Sequence, residues 1–433
     1  MANQQDAIAQ ADLGLRLARS GFRPKVTPNI FGSFGRTDLS SQTYHVDVSQ
    51  KLQTGTELRL GVGAVSSQIP GQPGAPGGDV LFYDADTTLT VTQPLLRGFG
   101  RSVTRRTLTS AELQRDEAQR MQVLAEQQLT VDVASAYYRV VSQHAFVDVA
   151  KQSLDRSRRL RDASEAKLDA GLVSQLDVLR AQQLVAQAEM QLFDAQSAIE
   201  DARDRLAFLM GRTDGASLTV ATVIPRPATE PVDVGLATTT ALANRADLKS
   251  RAAASADAES RVRYSRNQLL PQVDVNLALT RRGTSPTLGG SFGLEGYQFA
   301  TFFTIAMPVD RTAQQVEFQS ALIDRERRRR DVTTLERQIT EDVKQAIRER
   351  NRLVRNIAAA ETSVELGRRE VEVAELRYQT GLSNNLDVVT AEGNLLAAES
   401  RRLQAAADSA VAELRLRALV GTLNPRVDIG TPR

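Results

Sequence analysis

The chain contains no cysteine. Disulfides, thiol catalysis, cysteine metal sites and a lipid-bearing N-terminal cysteine are therefore excluded within it. Histidine is almost as scarce: His45 and His144 stand far apart, too few to build a metal cluster. No stretch approaches the roughly 18 uninterrupted apolar residues of a membrane-spanning helix. A membrane part would have to be β-strand, because in lipid only helices and closed barrels satisfy the backbone. The first residues, MANQQDAIAQ, lack the basic-then-apolar pattern of an export signal. Charge of one sign is lacking too: 54 basic residues face 52 acidic ones, for a net charge of +2, which gives no basis for nucleic-acid binding. No phosphate loop and no catalytic constellation occur, so we expect neither an enzyme nor a cofactor.

Proline is absent between Pro94 and Pro225, and again between Pro308 and Pro425. Both stretches are rich in Ala, Leu, Arg, Gln and Glu, the strong helix formers. Each is interrupted near its middle by a glycine, Gly171 or Gly381, where a helix C-terminus is expected. The segment 101–170 would run roughly 105 Å as a helix, and the return 174–210 roughly 55 Å. Helices of that length suit a coiled-coil assembly or a tube wall rather than a globular core.

The chain is written twice. Shifted by 210 positions, Thr130–Gly211 falls on Thr340–Gly421 without a gap, with about two dozen identities across 82 positions. At the centre, Gly171-Leu172-Val173-Ser174-Gln175-Leu176-Asp177-Val178 answers Gly381-Leu382-Ser383-Asn384-Asn385-Leu386-Asp387-Val388. The lead-ins repeat at a different offset: Arg16, Arg19, Pro24 and Val26 fall on Arg263, Arg266, Pro271 and Val273. The expected organisation is a first repeat over 1–211 (strands about 24–93, helical hairpin 99–211) and a linker over 212–235. A second repeat follows over 236–421 (strands about 272–308, hairpin 312–421), with a tail over 422–433.

Strand-like segments precede each hairpin. Val273–Leu279 is apolar at every second position, and Tyr297–Met307 is rich in aromatics. Tyr44–Ser49, Glu57–Val62 and Thr87–Thr92 alternate likewise, with polar loops expected at 70–78 and 281–293. Alternation joined by polar turns fits barrel strands in an outer membrane and fits a soluble hairpin domain equally.

Together, Leu270-Pro271-Gln272-Val273 before a strand, Thr92-Gln93-Pro94-Leu95-Leu96 after one, and the paired Gly-Leu…Leu-Asp-Val…Ala segments resemble the TolC-like outer membrane factors over nearly the whole chain. The resemblance implies a mainly α fold with a β-barrel portion. Two structural repeats per chain would combine long antiparallel coiled-coil helices, forming an α-barrel, with strands of a shared trimeric outer-membrane barrel, four strands per protomer. It implies a homotrimer in outer-membrane lipid that extends into the periplasm and serves as the channel of a tripartite efflux or type I secretion system. Its partners would be a periplasmic adaptor (membrane fusion protein) and an inner-membrane pump. A hairpin around Tyr44–Val62 departs from that pattern. The short first lead-in, compared with the second, leads us to expect that the natural start lies upstream, together with a signal peptide.

The resemblance also singles out residues. Asp387 matches a lumen-facing aspartate of a constricting ring, Thr390 the second ring position, and Tyr378 a tyrosine that bonds the aspartate at the position of Asp177. The arginine that shares this lock is replaced by Ser383. Helix-start chemistry is the other reading of Ser174 with Asp177 and of Asn384 with Asp387. Gly171, Leu172, Val173 and Ser174, with Gly381, Leu382 and Ser383, match the tip turns that meet the adaptor. The run Arg325–Arg330 reads as a solvated helix face partnered by Asp324, Asp331 and Glu336. A periplasmic coiled-coil structural or adaptor protein is the rival reading, and it needs no strands.

Overall fold

A computed structural model describes residues 2–32, 41–69, 80–212, 224–226 and 230–425. The loop expected at 70–78 and most of the linker and tail lie outside these residues. Two compact units are present: residues 1–121 with 250–333, and residues 122–249 with 334–433. Each repeat of the sequence contributes to both.

The first unit holds a six-stranded antiparallel meander in the order β1 to β6. Its strands are β1 (Lys25–Gly32), β2 (Ser41–Lys51), β3 (Glu57–Ile69), β4 (Val80–Pro94), β5 (Gln272–Ser285) and β6 (Glu295–Ala306). Two adjacent ladder rows cross all six strands. Val26, Val48, Leu60, Leu89, Leu279 and Phe299 form one, and Thr27, Asp47, Gly61, Thr88, Thr280 and Gln298 form the next. Because side chains alternate across a strand, the first row and its neighbours make one face apolar and the second makes the other polar. The resemblance implied four strands, but the alternating Tyr44–Val62 region pairs on both sides within this sheet, making six. The expected loop 281–293 is shorter, because β5 continues to Ser285 and a single helical turn, α7 (Leu288–Ser291), closes it.

Helix α1 (Ala2–Ser20) leads into β1, as α6 (Ala246–Gln268) leads into β5. Leu15 packs on Leu108 and Ala111 of α3 (Arg106–Asp169), beside Ala18 and Phe22. The chain leaves β4 through a tight turn and α2 (Arg101–Thr104). Asn267 anchors that turn, accepting from the Gly98 N–H at 2.8 Å and donating to the Leu96 carbonyl at 3.1 Å. Gly55 packs beneath it with φ +101°; a Cβ there would lie 2.6 Å from the Gly98 carbonyl oxygen, so only glycine fits. The arginine-rich run lies on α8 (Thr312–Gln379) and pairs locally, Arg328 with Asp324 at 3.5 Å and Arg329 with Glu326 at 3.8 Å.

The second unit is helical: α3 returns as α4 (Gln175–Leu209), α8 returns as α9 (Asn385–Val420), and α5 (Val234–Asn244) packs on α9. The buried residues of α4 include Val178, Ala181, Val185, Ala188, Ala195, Ile199, Ala202 and Leu206, spaced by three and four once the half-buried Leu192 fills the step of seven. That is the seam of a coiled coil. On α9 the buried Val388, Ala391, Leu395 and Ala398 fall 210 positions after the first four, so the sequence repeat is also a packing repeat. Alanine at half of these sites lets the helices approach closely. At Gly367, a Cβ would already sit 3.4 Å from the Leu395 Cα.

Candidate gate at the hairpin turns

The two hairpin turns are built alike. Gly171 and Gly381 hold φ of +71° and +74°, the left-handed conformation that ends a helix most cheaply at glycine. In each turn the following leucine donates back to the helix, Leu172 to the Lys167 carbonyl and Leu382 to the Arg377 carbonyl, both at 2.8 Å. Leu172 and Leu382 are each 74% exposed, whereas Val173 packs into the core below. Each turn therefore presents one apolar side chain to its surroundings.

The helix starts differ. Ser174 donates to the Asp177 carboxylate through its N–H at 3.1 Å and its hydroxyl at 2.7 Å, and Arg180 stands 3.6 Å from the same carboxyl group. Asp177 is buried in this arrangement. Asn384 caps the other helix through its own side chain, accepting from the Leu386 N–H at 3.0 Å, which leaves Asp387 exposed. Thr390, one turn on, is exposed as well, with its hydroxyl donated to the Leu386 carbonyl at 2.8 Å. Two aspartates at equivalent places thus have different work: one fixes a helix start, and the other offers its charge outward.

Tyr378 is buried, but its hydroxyl meets Ser164 on α3 at 2.8 Å and not Asp177. The reason is local, since Asp177 is already engaged by Ser174 and Arg180. Lys167 reinforces the tyrosine, its ammonium 4.1 Å from the ring centre and donating to the Tyr378 carbonyl. Asn385, fully buried, donates to the Asp177 carbonyl and ties α9 to α4. Ser383 makes a local contact, its hydroxyl donating to the Asn384 carbonyl at 3.4 Å.

Above the turns, Arg156 on α3 grips Glu392 on α9 through its Nε, at 2.7 and 2.9 Å from the two carboxylate oxygens. Burial pushes the Glu392 carboxyl above its ordinary range, and the opposing pull of Arg156 does not cancel this. Two further ion pairs, Arg158 with Glu189 and Arg368 with Glu399, both at 3.0 Å, are counterparts at the 210-residue offset. Arg156 and Glu392 have no such counterparts, for Leu366 and Gln182 occupy those places. The symmetric pairs hold each hairpin to itself, and the asymmetric pair joins one hairpin to the other. Ser164, Lys167, Asn385, Arg156 and Glu392 were all missed by motif reading. A cue existed for the last two: they are charged residues where the repeat partner is uncharged, and Glu392 falls one residue after a seam alanine.

A sheet with one apolar and one polar face, in a chain with two long helical hairpins, defines a strand-and-hairpin fold. The sequence matches the outer membrane efflux protein family over residues 82–212 and 238–422. The chain belongs to the outer membrane efflux protein family. It is 33% identical to the fusaric acid resistance protein FusA of Burkholderia cepacia over 121 residues, which cover 28% of this chain and 22% of that protein. It is 25% identical over 368 residues to SepC of Pseudomonas putida, described as a probable efflux pump outer membrane protein, covering 82% of this chain and 73% of SepC. In fold it is similar to the outer membrane protein VceC of Vibrio cholerae, with a TM-score of 0.72 at 18% identity, across 97% of this chain and 92% of that one. The chain is thus an outer-membrane efflux component of the TolC-like type, with the Gram-negative outer membrane as its location.

Proposed function

We propose that three copies of this chain form a passive duct through the outer membrane, fed by a periplasmic adaptor and an inner-membrane pump. The two strand-plus-hairpin repeats, 1–211 and 236–421, supply both the membrane strands and the periplasmic helices. The carrying observation is the sheet: an apolar row crosses all six strands directly beside a polar one, as a wall between lipid and water requires. Leu172 and Leu382 at the two turns are the contacts offered to the adaptor. Asp387 and Thr390 line the narrow periplasmic end, while Tyr378 and Asp177 hold it narrow through Ser164, Ser174 and Asn385. A duct touches its cargo loosely, so selection belongs to the pump.

Imaging of detergent-extracted protein tests this reading. The expected result is a three-fold particle with a long helical stem. A protein that stays monomeric and needs no detergent would overturn it in favour of a periplasmic coiled-coil protein.

A further inference from the structure

We infer that the membrane barrel of this protein is built from six strands of each protomer, giving eighteen strands rather than the twelve that four per protomer would give; the inference rests on the duct reading above. Four strands per protomer would require β1 to pair directly with β4. Instead β2 and β3 lie between them, hydrogen-bonded along their length on both sides. The inserted hairpin is not a soluble appendage, because it continues both faces of the sheet. Val48 and Leu60 stand in the same row as Leu89 and Leu279, and Asp47 and Gly61 in the same row as Thr88 and Thr280. Placed outside the membrane, β2 and β3 would gain nothing from that alternation. With 11 and 13 residues they are long enough to cross, since a tilted membrane strand needs roughly 9–11.

The sheet's two ends fit each other. With an even number of antiparallel strands, β1 and β6 run in opposite directions, so β6 of one copy can pair antiparallel with β1 of the next. Both are exposed at every position in the single chain, and both carry apolar residues on the lipid face, Val26 and Ile30 on β1, Phe299 and Phe303 on β6. Their unpaired backbone groups could not remain open in lipid, so closure through neighbouring copies is required. At about 4.8 Å between strands and a tilt near 40°, eighteen strands enclose a backbone diameter of about 36 Å, against about 24 Å for twelve. The widening also sets a ring of His45–Asp47 pairs, 3.2 Å apart, on the polar inner wall. Gly61 and Gly63 make room for that histidine, since a Cβ at either would lie within 3.1 Å of the ring.

Two measurements decide it. End-on imaging of the extracted trimer should show a barrel about one and a half times as wide as twelve strands allow. Because the chain has no native cysteine, single cysteines report cleanly on each face. In liposomes, a fluorophore on Val48→Cys should be quenched by brominated lipid as strongly as one on Leu279→Cys, while Asp47→Cys should react with a water-soluble thiol reagent and escape the lipid quencher. A three-fold tube of twelve-strand width, or Val48→Cys unquenched beside a quenched Leu279→Cys, overturns the inference and leaves the duct intact. Absence of any tube, with Leu279→Cys unquenched as well, overturns both.

Discussion

At the scale of single residues, the ties between the two hairpins are few and specific, so each can be tested alone. Tyr378→Phe removes the partner of a fully buried hydroxyl, that of Ser164. An unsatisfied buried group costs about 1–3 kcal/mol, so a lower thermal midpoint is expected. Because this bond joins α3 to α8 where the proposed duct narrows, single-channel conductance in planar bilayers should rise as well. A double variant with Ser164→Ala should cost less than the sum of the two single changes, the sign of a direct interaction. Glu392 gives a pH signature opposite to that of an ordinary paired carboxylate. Its folded pKa is raised, so on acidification the folded chain takes up this proton before the unfolded chain does. The contribution is fully present below the unfolded pKa and fades as pH rises through the folded one. Between about pH 7 and about pH 5, the thermal midpoint of the native protein should therefore shift upward relative to that of Glu392→Gln. A constant gap would mean that Glu392 keeps an ordinary pKa.

At the scale of elements, glycine positions separate backbone strain from crowding. Gly171 and Gly381 have left-handed φ and open space around them. Alanine at either should cost about 1–2 kcal/mol from conformation alone and leave assembly intact. Gly55 combines a positive φ with contact against the Gly98 carbonyl, so Gly55→Ala should be markedly worse, seen as a lower yield of the assembled form on unheated gels. The two faces of β4 make a second contrast. Val91 lies in the apolar set and Thr90 in the polar one. Arginine at Val91 should reduce assembly in the membrane by up to about 2–4 kcal/mol per chain, whereas Thr90→Arg should be tolerated because it meets water. Equal tolerance at both would argue against a lipid-facing sheet.

At the scale of the whole molecule, the proposed duct depends on meeting its adaptor, and the exposed leucines of the two turns test that. Replacing both Leu172 and Leu382 with serine should leave the trimer and its conductance unchanged. In cells, export of a fluorescent dye should fall to the level of cells lacking the protein. Loss of the trimer itself would mean that these leucines pack within the channel and do not dock. The same scale shows why the repeat in the sequence does not map onto the compact units: each repeat runs through both, strands into one and hairpin turn into the other.

The sequence by itself determined the helices, their turns and the doubling. These rest on local physics: proline-free runs of helix formers, a glycine where each helix is expected to end, and identities that survive a shift of 210. It also determined that any membrane part must be β-strand, since no long apolar run exists. Tertiary structure decided how many strands share the sheet, because pairing is a relation between distant segments and alternation alone serves a barrel wall and a soluble hairpin equally. It decided that Asp177 and Asp387, identical in motif, differ in exposure, since burial depends on which neighbour already holds the carboxylate. It also chose Ser164 as the partner of Tyr378 and Glu392 as that of Arg156. Those partners lie more than two hundred residues away, and no local rule reaches that far.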